Sequence, residues 1–158
     1  MHKRSTLTLV RGAVIAALYT LLTLLVNTLG LSSGAIQLRL SEALTILPVL
    51  MPEAIPGLFV GCLLSNTLTG CAVWDIVFGS IATLLGALGT RMLRKNKYLA
   101  VLPPILANTL IIPFVLSFVY RFEGSLWYFM VTVFIGEVLS CGVLGLFLLK
   151  MMQGHKIK

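Results

Sequence analysis

The chain has 158 residues, 58% of them apolar and 11% charged, with a mean hydropathy of +1.02 and a formal net charge of +7. Soluble domains carry about 25% charged residues, so too little polar cover is present for a surface facing water on all sides, and a soluble globular protein is excluded. The twelve Lys and Arg stand in short blocks between apolar runs instead of on one polar face with aromatics among them, which argues against a nucleic-acid partner.

Several apolar runs approach or exceed the roughly 20 residues that a membrane helix needs, and they extend over the whole chain. The reading is an all-α integral membrane protein with a single transmembrane domain over 1–158. Met1-His2-Lys3-Arg4 has the look of a signal-peptide n-region, but the apolar run behind it is longer than the usual 7 to 15 residues and has no clear small-x-small cleavage site. It is therefore expected to remain as span 1, near 7–29. This span holds two small-x-x-x-small pairs, Gly12/Ala16 and Ala13/Ala17, a spacing that lets helices approach closely. The loop 30–39, rich in Gly and Ser, is expected to act as a lid on the outer side.

The stretch 40–67 reads either as one kinked span or as two short ones. Pro48, Pro52 and Pro56 surround Glu53, and each proline removes a donor and clashes with the preceding turn. The positive-inside bias decides. With six spans and both termini cytoplasmic, Lys3, Arg4, Arg11, Arg91, Arg94, Lys95, Lys97, Lys150, Lys156 and Lys158 lie inside, and only Arg39 and Arg121 lie outside. Five spans would move eight basic residues out. The six spans are then near 7–29, 40–51, 54–66, 74–93, 98–120 and 126–151. A twelve-residue α-helix rises only about 18 Å of the roughly 30 Å hydrocarbon core, so span 2 must be extended by its flanks, tilted, or sunk in protein. Short, proline-interrupted segments often line a cavity.

Polar residues inside the spans are expensive and therefore informative. Glu137, about eleven residues into span 6, and Asn108, about ten residues into span 5 from the other side, reach comparable depth and are expected to converge, unless each only bonds a neighbouring helix. Glu42 follows Arg39 by three residues, so the two either pair along one helix face or offer an acceptor pair and a donor fork to a ligand at the mouth of span 2. Asp75 opens span 4, where an N-cap is the plain reading; with Asn66 and Trp74 it is also expected on the outer rim, near a ligand. Glu53 is expected as a solvated charge in the inner turn. Trp127 and Tyr128 suit an interfacial aromatic belt. Asp75, Gly79, Thr83, Gly86 and Thr90 form a small-residue stripe best read as helix packing. Cys62, Cys71 and Cys141, odd in number and without Cys-x-x-Cys or a nearby His, are expected as free packing thiols, with no metal site.

The run from Gln37 to Pro48 (QLRLSEALTILP), then Gly57 to Gly61, then WDIVFGSIATL from Trp74 onward resembles the QueT family of S components, the substrate-binding subunits of energy-coupling factor transporters. The alanine-x-x-x-alanine face of span 1 also fits that group. The resemblance implies an S-component-like bundle in a bacterial cell membrane, without catalysis or cofactor, that captures a queuosine precursor, chiefly the deazaguanine preQ1 (7-aminomethyl-7-deazaguanine). It also implies docking through Ala13 and Ala17 on an energy-coupling module of a transmembrane protein and two ATPases. Arg39, Glu42, Asn66, Trp74, Asp75, Asn108 and Glu137 are the expected ligand residues. A guanine-like face has two adjacent donors for a carboxylate and a carbonyl for Asn or Arg, and an aminomethyl group calls for a second carboxylate.

Three other readings compete. An S component for a different vitamin or small cation would share the fold. A proton-coupled carrier would use Glu137 or Asp75 as a relay, but no inverted repeat is visible. An intramembrane hydrolase would need a nucleophile with a base or a metal set, whereas His2 and His155 lie in the tails and no His-Glu-x-x-His occurs.

Overall fold

The protein is described by a computed structural model, covering residues 2–30, 39–121 and 123–154, with side chains from residue 5 onward. Within that range it is all-helical. Helices α1 (His2–Thr28), α2 (Ala54–Leu68), α3 (Val73–Met92), α4 (Leu102–Val119) and α5 (Leu126–Gly154) are joined by a ten-residue 3₁₀ helix, Leu40–Val49, between α1 and α2. The lid expected at 30–39 and Gln37 lie outside the described residues, apart from the loop's ends at Gly30 and Arg39.

Four helices, α1 from Ser5 on, α3, α4 and α5, are long and apolar enough to cross a membrane. Their outer faces carry exposed Leu, Val, Ile and Phe along their length, the arrangement expected where lipid is the solvent. Element boundaries follow local chemistry. Ser125 caps α5 by accepting from Tyr128 N at 3.2 Å. Pro103 and Pro104 sit in the first turn of α4, where a missing N–H costs little. The sequence had span 5 starting at 98; α4 starts at Leu102 instead, because Asn96 Oδ1 accepts from Tyr98 N and Leu99 N and holds those residues in a turn.

Consecutive helices pack against one another in chain order, and the 3₁₀ helix touches α1, α2, α3 and α5. Seven of its ten residues are buried, so the short span is sunk in protein. Its 3₁₀ form also lengthens it: at about 2.0 Å per residue, ten residues rise about 20 Å, where an α-helix would rise about 15 Å. Runs this long are uncommon because the hydrogen bonds are poorer. Here the surrounding helices compensate. Arg91 Nη1 on α3 donates to Pro48 O at 3.0 Å and Val49 O at 3.3 Å, satisfying carbonyls that the end of the helix leaves open.

The two small-residue pairs of α1 separate cleanly. Gly12 and Ala16 face α2: a Cβ added at Gly57 would lie 2.6 Å from Gly12 O, and one at Gly61 would lie 2.9 Å from Ala16 O. Ile15, Ala16, Tyr19 and Val26 are buried on this side, whereas Ala13 and Ala17 are exposed. Glu53 departs from the solvated charge expected of it. It is 9% exposed and forms an ion pair at 3.1 Å with Arg11 Nη1, because the turn between the two prolines folds back against the start of α1.

Candidate functional site

Polar side chains from all six elements meet in the interior. The 3₁₀ helix contributes Glu42, fully buried. Tyr19 of α1 donates its hydroxyl to Glu42 Oε1. Next to this pair, Thr23 Oγ1 donates to Ser41 Oγ at 2.9 Å. From α5, Cys141 Sγ donates to Glu137 Oε2 at 3.1 Å, and Thr45 Oγ1 reaches Cys141 Sγ at 3.4 Å. Residues 138–144 of α5 are a π-helix that begins directly after Glu137. Such local widening is frequent at functional sites, and here Glu137, Ser140 and Cys141 are all buried within it or at its start. Ser140 Oγ accepts from Arg39 N at 3.3 Å, which fixes the entry to the 3₁₀ helix against α5.

Asn108 of α4 is 1% exposed and close enough to interact with both Glu42 and Glu137. The predicted convergence of Asn108 and Glu137 is thus present, with Glu42 as a third member. The guanidinium of Arg39 lies within electrostatic reach of Asp75, Glu42 and Glu137. Arg11–Glu53 is the one ion pair at contact distance among the described residues, so Arg39 and Glu42 do not form the simple intrahelical pair; Glu42 is held by Tyr19 instead.

Toward the other end of α3, Asp75 accepts from Tyr120 Oη at 3.0 Å through Oδ2, and Tyr120 Oη in turn accepts from Ala72 N at 3.1 Å. The N-cap position belongs to Ala72, which corrects the capping role expected of Asp75. Asn66 is buried and donates to Cys62 Sγ at 3.6 Å, a weak contact. Trp74 differs from its companions. It is 59% exposed and stacks on Phe78 with ring centroids 5.9 Å apart, away from the buried cluster. Tyr19 is a site residue that the sequence reading passed over, although a lone phenol within an apolar span was a visible signal.

Three buried polar atoms of this cluster, Glu42 Oε2, Asp75 Oδ1 and Asn108 Nδ2, make no hydrogen bond among the described residues. Native structures contain few such atoms, because each costs about 1–3 kcal/mol and more when charged. Two acceptors and a donor at known places are what a small polar ligand would satisfy. A metal is the other possibility for such a set: ligand atoms of Glu42, Glu137 and Cys141 lie within 4.8 Å of one another. The thiol is already engaged with Glu137, and the Arg39 cation near both carboxyl groups opposes a second cation there.

A lipid-facing helical bundle with partly unsatisfied polar side chains in its interior defines a multi-pass membrane protein. Family comparison carries this further: the model described as "QueT transporter" matches residues 9–154, and the chain belongs to that family. A curated relative, "Queuosine precursor transporter QueT" of Lactococcus lactis subsp. cremoris (strain MG1363), is 35% identical over 85 residues, 54% of this chain and 50% of the relative. The matched region thus spans about half the length of that relative. No solved structure gives a significant match.

Proposed function

We propose that the protein is the substrate-binding S component of an energy-coupling factor importer, and that it captures the queuosine precursor preQ1 on the outer side of the membrane. The name of the Lactococcus relative supports the substrate class. The observation that carries the reading is the set of orphaned buried atoms, Glu42 Oε2, Asn108 Nδ2 and Asp75 Oδ1. Glu42 and Glu137 accept from the paired N–H donors of the guanine-like edge, the Asn108 amide donates to its carbonyl, and Asp75 takes the ammonium. Arg39 balances the carboxylates and offers a second donor fork. Asn66, buried close to Asp75, lines the site, whereas Trp74 faces outward and takes no part in it.

Six crossings with both termini cytoplasmic agree with ten of twelve basic residues on one side and with the central placement of the 3₁₀ helix. Transport energy comes, as the family resemblance implies, from a partner with two ATPases, and the sequence given has no Gly-x-x-x-x-Gly-Lys-Ser/Thr phosphate loop of its own. The exposed Ala13/Ala17 strip of α1 is the docking face for that module.

Purified protein should bind 7-aminomethyl-7-deazaguanine without ATP, with Glu42→Ala and Glu137→Ala each weakening it by about 10- to 150-fold, the worth of a charged hydrogen bond. Wild-type affinity in both variants would remove the site assignment; absence of any deazaguanine binding would remove the function.

A further inference from the structure

At the end of the bundle away from Asp75, the chain turns from α3 into α4 through the loop 93–101. The 20 residues of α3 rise about 30 Å, the thickness of the hydrocarbon core, so the loop lies at the depth of the lipid headgroups. It stays at that depth because it is short and tightly folded. Asn96 N donates to Leu93 O at 3.0 Å, Ala100 N donates to Asn96 O at 2.9 Å, and Asn96 Oδ1 accepts from Tyr98 N and Leu99 N. Buried Thr90 Oγ1 donates to Ala100 O at 2.8 Å and ties the end of the loop back to α3.

Residues 92–99 are all exposed, and they mix two kinds of side chain. Met92 is 82% exposed and Tyr98 66%, with Leu93 and Leu99 also open, an apolar set that water would penalise. Between them stand Arg94, Lys95 and Lys97. Two other cations of this end are occupied, Arg11 by Glu53 and Arg91 by the carbonyls of Pro48 and Val49. Arg94, Lys95 and Lys97 have no carboxylate partner among the described residues, although Lys97 Nζ lies 5.5 Å from the centroid of the Tyr98 ring. Of the five Asp and Glu, Glu42 and Glu137 are buried in the interior, Asp75 and Glu123 belong to the opposite end, and Glu53 is already paired. Three cations held at headgroup depth among exposed apolar side chains therefore lack a counter-charge from the described residues.

We infer that the loop 93–101, with Met92 before it, is a binding site for an anionic phospholipid. Arg94, Lys95 and Lys97 hold its phosphate and headgroup, while Met92, Leu93 and Leu99 lie against its acyl chains. A zwitterionic lipid carries the same phosphate with a cation attached, which these side chains repel. A soluble anion would satisfy the charges but leave the apolar members open to water; a lipid covers both, and lipid already surrounds α3 and α4 at this depth. On the proposed topology this is the cytoplasmic end, where membranes present anionic headgroups.

The test uses the purified full chain in neutral detergent and lets phosphatidylglycerol and phosphatidylcholine compete against a fluorescent phosphatidylglycerol, reading the ratio of their dissociation constants. Wild type should favour phosphatidylglycerol by about tenfold or more, and the preference should shrink as salt rises. Each of Arg94→Gln, Lys95→Gln and Lys97→Gln should lower it by about two- to fivefold. Asn96→Ala keeps every charge but loosens the turn, and should lower it by about two- to tenfold. Arg121→Gln removes an exposed charge at the opposite end and should leave the ratio as it is. Equal binding of the two lipids by wild type overturns the inference. So does a wild-type ratio in the variant with Arg94, Lys95 and Lys97 all changed to Gln, provided that it unfolds like wild type. An equal loss in Arg121→Gln overturns it by assigning the preference to net charge. No lipid preference in wild type together with lost uptake by cells carrying the triple variant would overturn it in favour of an acidic protein surface.

Discussion

Tyr19 on the first helix and Glu42 on the 3₁₀ helix are joined by a buried hydrogen bond that occupies one carboxylate oxygen and leaves the other unpaired. The phenol thus aims Glu42 as well as stabilising it. Tyr19→Phe should lower the unfolding temperature by a few degrees, in keeping with the roughly 0.6–2 kcal/mol of a hydrogen bond inside a membrane bundle. It should also weaken preQ1 binding by about tenfold, because a released carboxylate samples more orientations. Calorimetry and thermal unfolding with and without ligand measure both. A stability loss with unchanged affinity would show that Tyr19 does not position Glu42.

Asn108 is the buried amide with an idle donor. Asn108→Leu removes an orphaned polar group and fills its space with carbon, so the empty protein should be as stable as wild type or more so. Ligand affinity should fall by about tenfold or more, since the carbonyl of the base then faces an apolar group. Opposite signs for stability and affinity are the expected signature.

Glu53 predicts a pH effect. Backbone hydrogen bonding at its own position, opposed by partial desolvation and helped by the Arg11 guanidinium and the more distant Arg91, holds its carboxyl below the ordinary 4.5. A folded-state value lower than the unfolded one means that the stabilisation is fully present above the unfolded value and is lost as pH falls through the folded value. Unfolding temperature in detergent should therefore drop as pH falls from about 5 toward 3, and Glu53→Gln should flatten part of that slope. Parallel slopes in the two proteins would contradict this.

The contact between α1 and α2 tolerates no side chain at Gly57. Gly57→Val should destabilise the protein by about 1–3 kcal/mol or more through overpacking, visible as early thermal unfolding. Ala17→Leu adds its bulk on the exposed strip, so the isolated protein should keep its wild-type unfolding temperature while uptake in cells carrying the coupling module falls. Early unfolding of Ala17→Leu, or full uptake, would move the docking face elsewhere.

Much of the architecture was legible because lipid imposes simple rules. Length of apolar run and proline breaks located each helix among the described residues to within about five residues. The same penalty on buried polar groups singled out Asn108 and Glu137 as interior residues, and both are buried; Glu42 and Asp75, expected at the mouth of span 2 and on the outer rim, prove to be buried as well. Other features depend on geometry that no spacing rule conveys. The 3₁₀ form of Leu40–Val49 is set by the helices around it, and the π segment after Glu137 has no composition signature. Glu53 looked like a loop charge because its partner, Arg11, is 42 positions away. Trp74 sat beside Asp75 in sequence, but adjacent helix positions point in different directions, and only Asp75 turns inward.

The first helix is the least enclosed of the four long ones, with 28% of its apolar window buried. Any protein helix that comes to lie along its Ala13/Ala17 strip displaces lipid, not water, so the exchange brings no hydrophobic gain and rests on close backbone approach alone. Such an attachment is shallow in energy and easily undone by the acyl chains that compete for it. On the proposed reading, the coupling module would hold this face through just such a shallow attachment.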